Sequence, residues 1–330
     1  MIAPRHHARH GALLEEREPS VTLRDAGETA LVRGVDFSLN RGETLSIVGE
    51  SGSGKSVTAQ ALTRLLDPLA TRVAAKTLSL NGRALLPLSE RQMRAVRGGE
   101  IAMIFQDSMT ALNPLRGVGA QIVEGIRRHS KSPQAEARAR AEDMLARVQI
   151  PDPLRVKRHY PFGLSGGIRQ RVMIAAALAM GTDVLLADAP TTALDATVQA
   201  QVLGLLTEFR DRLGLGIVLI TQDFGVVAEV ADRVAVMYAG RLVETARVQA
   251  PFDAPRHPYT IVLMGALPSR AATAAGRLQE IPGVVPTPGD IGPGCAFASR
   301  CALAREMCRK TAPAFRTIAP EHEVACHVVA

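Results

Sequence analysis

The chain has no tryptophan, three tyrosines and eight phenylalanines, so aromatics make up 3% of its 330 residues. Proteins that bind single-stranded nucleic acid stack bases on aromatic rings, and this chain lacks the rings for such a surface. It also lacks any apolar run of about eighteen residues, the length a membrane-spanning helix requires, so no segment is expected to span a membrane. Cysteine is absent before residue 295, and clustering of all four beyond that point argues against a disulfide-rich secreted fold. The first nineteen residues, polar and mixed in charge, have no apolar segment of the kind a secretory signal needs. Residues 1–19 are expected to form a mobile tail, with His6, His7 and His10 as ordinary tail residues.

What is present suffices for a large core. Apolar residues make up 47% of the chain, enough to stabilise a domain without disulfides. The 39 basic and 32 acidic residues leave a net charge of +7, which by itself identifies no partner.

The most informative stretch is Gly49-Glu50-Ser51-Gly52-Ser53-Gly54-Lys55-Ser56, which has the G-x-x-x-x-G-K-S spacing of a phosphate-binding loop. The apolar run Leu45-Ser46-Ile47-Val48 before it reads as a buried strand, and residues 57–66 after it, beginning at Val57, have helical composition. A strand, a glycine-rich turn and a helix start aim backbone N–H groups and the helix dipole at one point. Lys55 is placed to reach the β- and γ-phosphates of a nucleotide, and Ser56 to ligate Mg²⁺.

Around this loop the pattern alternates. Val21–Leu23 and Val35–Leu39 read as strands, and residues 77–86 as a hairpin turning at Asn81-Gly82. Residues 101–105 form an apolar strand ending at Gln106. Two charged helices are expected within residues 118–149, as a helical insertion into an α/β fold. Strands return at residues 184–187 and 216–220 with a helix over 198–213 between them, an order that implies a parallel sheet. A last hairpin turns at Ala239-Gly240. Beyond about residue 250 the composition shifts to proline, alanine and glycine. The expected domains are therefore 20–250, with a helical subdomain at about 107–170, and an extension over 251–330.

Further motifs follow the loop in order. Leu164-Ser165-Gly166-Gly167 opens a helix containing Gln170, with Ser165 as its cap, and makes a second anion-binding helix start. Asp188 ends an apolar strand where Mg²⁺ would sit, and Ala193-Leu194-Asp195 comes shortly after. With these motifs the chain resembles the ATP-binding subunits of ABC transporters over residues 20–250. The resemblance implies a P-loop ATPase core of ABC type: a parallel sheet core, an antiparallel β subdomain and a helical subdomain. It makes Gly49, Glu50, Ser51, Gly52, Ser53, Gly54, Lys55, Ser56 and Val57 the chain's own ATP site. Ser56, Gln106 and Asp188 become the Mg²⁺ residues, and Asp195 the residue of the D-loop. Leu164, Ser165, Gly166, Gly167 and Gln170 become the signature that completes the ATP site of a second such subunit. Met109-Thr110-Ala111-Leu112-Asn113-Pro114, His257-Pro258-Tyr259-Thr260 and the cysteine-containing extension are similar to the dipeptide, oligopeptide and nickel importer branch. That branch implies a peripheral protein at the cytoplasmic face of the cell membrane. Its implied partners are a second, non-identical ATPase subunit, two transmembrane permease subunits and, indirectly, an extracytoplasmic solute-binding protein. No nucleic-acid partner is expected.

The chain departs from the family pattern where hydrolysis is concerned. Ala189 stands where the family has the glutamate that acts as general base, and a methyl group cannot accept a proton. Gln222 stands where the family has a histidine, and can hydrogen-bond a γ-phosphate without carrying charge. Residues 23–27 offer no aromatic ring to stack on adenine, and Phe162-Gly163 precedes the signature where a polar residue is usual. These departures predict a hydrolytically degenerate site in which Lys55, Ser56 and Asp188 remain to bind phosphate, with Gln106, Asp188 and Gln222 as its catalytic candidates. A non-hydrolytic regulatory subunit and a soluble ATPase acting on DNA or ribosomes are the competing classes. The latter usually carries two cassettes or a long coiled coil, neither present here.

Cys295, Cys301, Cys308 and Cys326 have spacings x5, x6 and x17. Four thiolates suit zinc or iron–sulfur, and His327 could replace one of them; two disulfides or four free thiols are the non-metal readings. The resemblance to the dipeptide-importer extension implies a structural [4Fe–4S] cluster on these four cysteines.

Overall fold

The structure is a computed structural model and describes residues 11–24, 27–192, 194–266, 281 and 283–329. The chain divides into two units, one comprising Met1–Leu14, Leu39–Glu43 and Pro87–Leu219, the other Glu15–Ser38, Thr44–Leu86 and Ile220–Ala330.

In the second unit the strand Thr44–Val48 is buried along its whole length and pairs in parallel with Arg233–Tyr238, Val48 lying opposite Val236. Burial on both faces is what its unbroken apolar composition anticipates. Arg233–Tyr238 turns back through Ala239 and Gly240, both at positive φ, into the antiparallel strand Arg241–Arg247. His322–Val324 adds to that strand, and Arg316–Ala319 adds to His322–Val324, so the C-terminal end of the chain extends the same sheet. The hairpin Thr77–Leu80/Arg83–Ala84 turns at Asn81 (φ 50°) and Gly82 (φ 75°), as the Asn-Gly dipeptide predicts. A separate antiparallel sheet is made by Ala30–Arg33, Ser20–Leu23 and Thr71–Ala74.

The stretch expected to be a tail carries a strand, Leu14–Arg17, with Leu14 and Glu16 buried. Four residues with two glutamates give too little alternation to announce a strand in sequence. Burial, with the Asp36 carboxylate nearby, pushes the Glu16 carboxyl well above the usual range. The three tail histidines and most of residues 267–290 lie outside the described residues.

The other unit holds the strand Ile101–Ile104 in parallel with Val184–Asp188, Ile104 lying opposite Ala187. The next strand is Gly216–Thr221, most of which belongs to this unit. The two charged helices are Val118–His129 and Gln134–Arg147. Val118, Ile122 and Ile126 form the buried stripe of the first; Ala137, Ala141, Met144 and Leu145 form that of the second. Arg127, Arg128 and Lys131 are exposed, whereas half-buried His129 packs on Gly98 and Gly99, and burial lowers its pKa.

In the second unit, Tyr238, Tyr259 and Phe297 form a buried aromatic cluster with ring centroids 4.7–5.4 Å apart. Two of the chain's three tyrosines are spent there. Beside the cluster, fully buried Glu244 accepts hydrogen bonds from the backbone N–H of Arg256 (3.0 Å) and His257 (2.9 Å), and lies 2.7 Å from His322 Nε2. His257 caps the helix Pro258–Gly265, its Nδ1 accepting from Tyr259 N–H at 3.1 Å.

Burial lowers the His257 pKa from 6.5 to about 4, so the folded state holds the ring neutral while the unfolded chain is protonated below pH 6.5. The unfolded chain therefore binds the extra proton between these values, and stability falls as pH drops from 6.5 to 4 by up to roughly 3 kcal/mol. His257→Asn keeps a cap acceptor and removes the titration. Melting temperatures of the two proteins measured from pH 7.5 to 4 should show a shallower acid loss in the variant. Parallel curves would assign the loss to other groups.

Candidate functional site

The phosphate loop lies between the buried strand Thr44–Val48 and the helix Lys55–Leu62. Its shape requires glycine at two points. A Cβ on Gly49 would stand 2.1 Å from the Met237 carbonyl oxygen. Gly54 caps the helix at φ 101°, in the left-handed region, and a Cβ there would meet Met237 Cε at 2.8 Å and the Leu31 carbonyl oxygen at 3.3 Å. Gly240 N–H donates to the Ser53 carbonyl at 2.8 Å, tying the loop to the turn after Arg233–Tyr238. Lys55 Nζ donates to the carbonyls of Gly49 and Glu50, both at 2.8 Å, and to Ser53 Oγ at 3.2 Å, so the lysine lies across its own loop. Ser53 is fully buried; Glu50, Lys55, Ser56 and Val57 are half-buried, and Ser51 and Gly52 are exposed. Gln222, in the same unit, is exposed directly after Gly216–Thr221. Thr221 Oγ1 accepts from Asp223 N–H at 3.0 Å, and Asp223 caps the helix Phe224–Val230.

Within the other unit, the parallel pairing of Ile101–Ile104 with Val184–Asp188 brings Gln106 and Asp188 to the same edge of the sheet. Gln106 is exposed and Asp188 buried. Ala189 has φ 47°, a left-handed conformation that costs an alanine of order 1 kcal/mol or more. Its carbonyl accepts from Thr192 N–H at 3.2 Å, closing a tight turn. Ser165 caps the helix Gly166–Leu178, accepting from Ile168 N–H at 3.4 Å. A Cβ on Gly167 would stand 2.8 Å from Val198 Cγ1, so this glycine lets the signature helix approach the helix Ala196–Leu213 closely. Leu164 and Gln170 are buried, and Gln170 Nε2 has no hydrogen-bond partner. Asp195 caps Ala196–Leu213 by accepting from Val198 N–H at 3.0 Å; Ala193 lies outside the described residues.

Two arginines of the signature helix are engaged by protein carbonyls. Arg169 donates to the Pro161 and Leu164 carbonyls, and buried Arg171 donates to the Val148 and Gln149 carbonyls and to Gln201 Oε1. Phe162 is exposed and stacks on Tyr160, centroids 5.7 Å apart.

The expected iron–sulfur cluster is overturned. Among the described residues no group of three or more His, Cys, Asp or Glu side chains stands where it could hold a metal ion. All four cysteines are free thiols. Burial, reinforced by the neighbouring sulfurs, raises the pKa of Cys295 and Cys301 above the ordinary thiol value. Cys308 Sγ accepts from Arg305 N–H and Cys326 Sγ from Val328 N–H, both at 3.4 Å. His327 Nε2 lies 2.8 Å from the Thr311 carbonyl.

Sequence reasoning missed the partners of Glu50. Its carboxylate pairs with Arg300, and its backbone N–H donates to Tyr259 Oη at 2.8 Å. An acidic residue inside an anion-binding loop was the available signal, since such a charge calls for a cation beside it.

Residues 32–192 match the family model described as "ABC transporter", and residues 243–308 that described as "Oligopeptide/dipeptide transporter, C-terminal region". The chain is 50% identical over 303 residues to the "Probable peptide ABC transporter ATP-binding protein y4tR" of Sinorhizobium fredii, covering 91% of this chain and 90% of that one. It is 47% identical over 319 residues to the "Dipeptide transport ATP-binding protein DppD" of Escherichia coli, covering 96% of each. Among solved structures, the dimeric ABC transporter cassette MJ0796 superposes with a TM-score of 0.63 at 26% identity, over 71% of this chain and 98% of that one.

The contact between Gly49 and the Met237 carbonyl yields a test. Gly49→Ala must push the loop off the strand Arg233–Tyr238, at a cost on the order of 3 kcal/mol. The expected result is a melting temperature lowered by several degrees together with loss of nucleotide binding. Wild-type values for both would show that the loop yields without cost.

Proposed function

The chain belongs to the ABC transporter ATP-binding proteins and has their P-loop ATPase fold, and on that premise we propose that it is one ATPase subunit of a peptide importer. Near-half identity over almost the full length to proteins named for peptide and dipeptide transport carries this reading. The matched oligopeptide/dipeptide C-terminal region supports it independently. No helix among the described residues is long and apolar enough to cross a membrane, which suits a peripheral subunit seated on two transmembrane permeases at the cytoplasmic face. A solute-binding protein would select the peptide on the other side. The dimeric state of the cassette MJ0796 supports pairing with a second ATPase subunit.

In this reading the reaction is phosphoryl transfer to water, driven by positioning and electrostatics. The loop 49–56 and the N-terminus of Lys55–Leu62 hold the phosphates; Lys55 leaves its loop carbonyls to reach them. Ser56 is the Mg²⁺ candidate of one unit, and Asp188 with Gln106 that of the other; bound Mg²⁺ would neutralise charge on the phosphate oxygens. Ser165, Gly166 and Gly167, at the start of a thirteen-residue helix, present donors to the ATP of the second subunit.

The chain's own site is proposed to hydrolyse slowly or not at all. Ala189 offers no proton acceptor, and Asp195, the next carboxylate along the chain, is engaged as a helix cap. Gln222 can touch a γ-phosphate without supplying charge. Hydrolysis then falls mainly to the site that this chain's signature completes.

The whole transporter, reconstituted with its second ATPase, tests this. Ser165→Arg should abolish ATP turnover while Lys55→Ala leaves much of it; equal loss in both would make the chain's own site catalytic or its occupancy obligatory. With the second subunit's phosphate loop disabled, Ala189→Glu with Gln222→His should raise the residual turnover by about 10²-fold or more. Unchanged turnover would place the defect elsewhere.

A further inference from the structure

Glu50 puts a negative charge into a loop built to hold phosphate. It follows Gly49 directly, and its carbonyl is one of the two that hold Lys55 Nζ. An uncompensated carboxylate there would repel a polyphosphate, and more strongly as binding excludes water.

The compensation comes from far along the chain. Arg300 grips Glu50 with both arms, Nη1 to Oε2 at 2.8 Å and Nη2 to Oε1 at 3.1 Å. This is the fork-to-fork geometry that only guanidinium supplies. The Arg300 side chain is 4% exposed and the Glu50 side chain 24%, so the pair is shielded from screening by salt. Arg300 Nη1 also donates to Tyr238 Oη at 3.2 Å and Nη2 to the Ile281 carbonyl at 3.4 Å. The second handle on Glu50 is its own peptide. Its N–H points to Tyr259 Oη, on the helix Pro258–Gly265, rather than into the cradle. Tyr238, Tyr259 and Phe297 pack against one another in a single buried cluster, which fixes both grips.

We propose that Arg300 and Tyr259 are positioning residues for the phosphate loop: they neutralise the Glu50 carboxylate and fix the Glu50 peptide, so that the C-terminal segment sets the affinity of the loop for nucleotide. The proposal rests on the reading of residues 49–56 as the nucleotide site. It adds that the segment beyond residue 250 acts on that site without touching the nucleotide. A purely structural ion pair would stabilise the fold and leave affinity alone. An electrostatic positioning pair makes affinity depend on whether the Glu50 charge is covered.

The test uses the full chain and Mg-ATP, with dissociation constants measured well below each variant's melting temperature. Arg300→Ala should weaken Mg-ATP by about tenfold or more, because it leaves a bare carboxylate beside the phosphates. Adding Glu50→Gln to Arg300→Ala removes that charge and should recover most of the affinity, though not the melting temperature. Affinity within twofold of wild type in Arg300→Ala, or no recovery in the double variant, overturns the proposal. If Arg300→Ala does not fold, Tyr259→Phe and Arg300→Lys carry the test. Each should weaken Mg-ATP by about threefold, a typical loss for one neutral hydrogen bond or one arm of a fork, and each should speed amide exchange over residues 49–56. Wild-type affinity in both overturns it. Lys55→Ala separates the two readings. Binding by the wild type that Lys55→Ala removes and Arg300→Ala leaves intact sinks only this proposal. No binding by the wild type sinks the nucleotide reading and this one together.

Discussion

The close approach of the phosphate loop to the strand Arg233–Tyr238 is the constraint on which the proposed nucleotide site depends. Gly49 lies against the Met237 carbonyl where no side chain fits, and Gly54 lies against Met237 Cε and the Leu31 carbonyl. Gly240, at the end of that strand, returns a hydrogen bond to Ser53. The loop is held from outside by the backbone of that strand and its turn, and by Tyr259 and Arg300 at Glu50. Backbone contacts of this kind do not relax by rotamer change, and they convert a glycine-rich, entropically costly segment into a fixed cradle.

The same unit explains why the chain continues past its hairpin at Ala239-Gly240. Glu244, on the strand after that turn, gathers two backbone N–H groups from residues 256–257 and the His322 ring. Those contacts bring Tyr259 and Phe297 against Tyr238. In a chain with so few aromatic residues, their concentration in one cluster marks where the extension is anchored. The grip of Arg300 and Tyr259 on Glu50 is a consequence of that anchoring.

The positions proposed to govern hydrolysis show a different logic. Asp188 ends a buried strand and Ala189 sits at positive φ in the turn that follows. The backbone there keeps a strained conformation although its side chain brings no chemistry. The intact cap of the signature helix at Ser165 stands in contrast.

Much of this protein was legible without coordinates. The loop 49–56, the signature 164–170, the strand ends at Gln106 and Asp188, and the hairpin turns at Asn81-Gly82 and Ala239-Gly240 rest on local chemistry. Glycine at positive φ, a serine cap and an unbroken apolar strand each need only a few neighbouring residues to be recognised. Tertiary structure decided what depends on partners distant in sequence. The strand Leu14–Arg17 exists because a sheet receives it; Arg171 is a buried brace because Gln201 and two carbonyls surround it. The family resemblance placed a metal cluster on the four cysteines, whereas among the described residues no group of three or more ligating side chains stands where it could hold an ion, and that depends on tertiary placement. Glu50 and Arg300 are 250 residues apart, and no local pattern announces that pair. Motifs are local because the backbone geometry they encode is local; charge compensation and burial are properties of the packed chain.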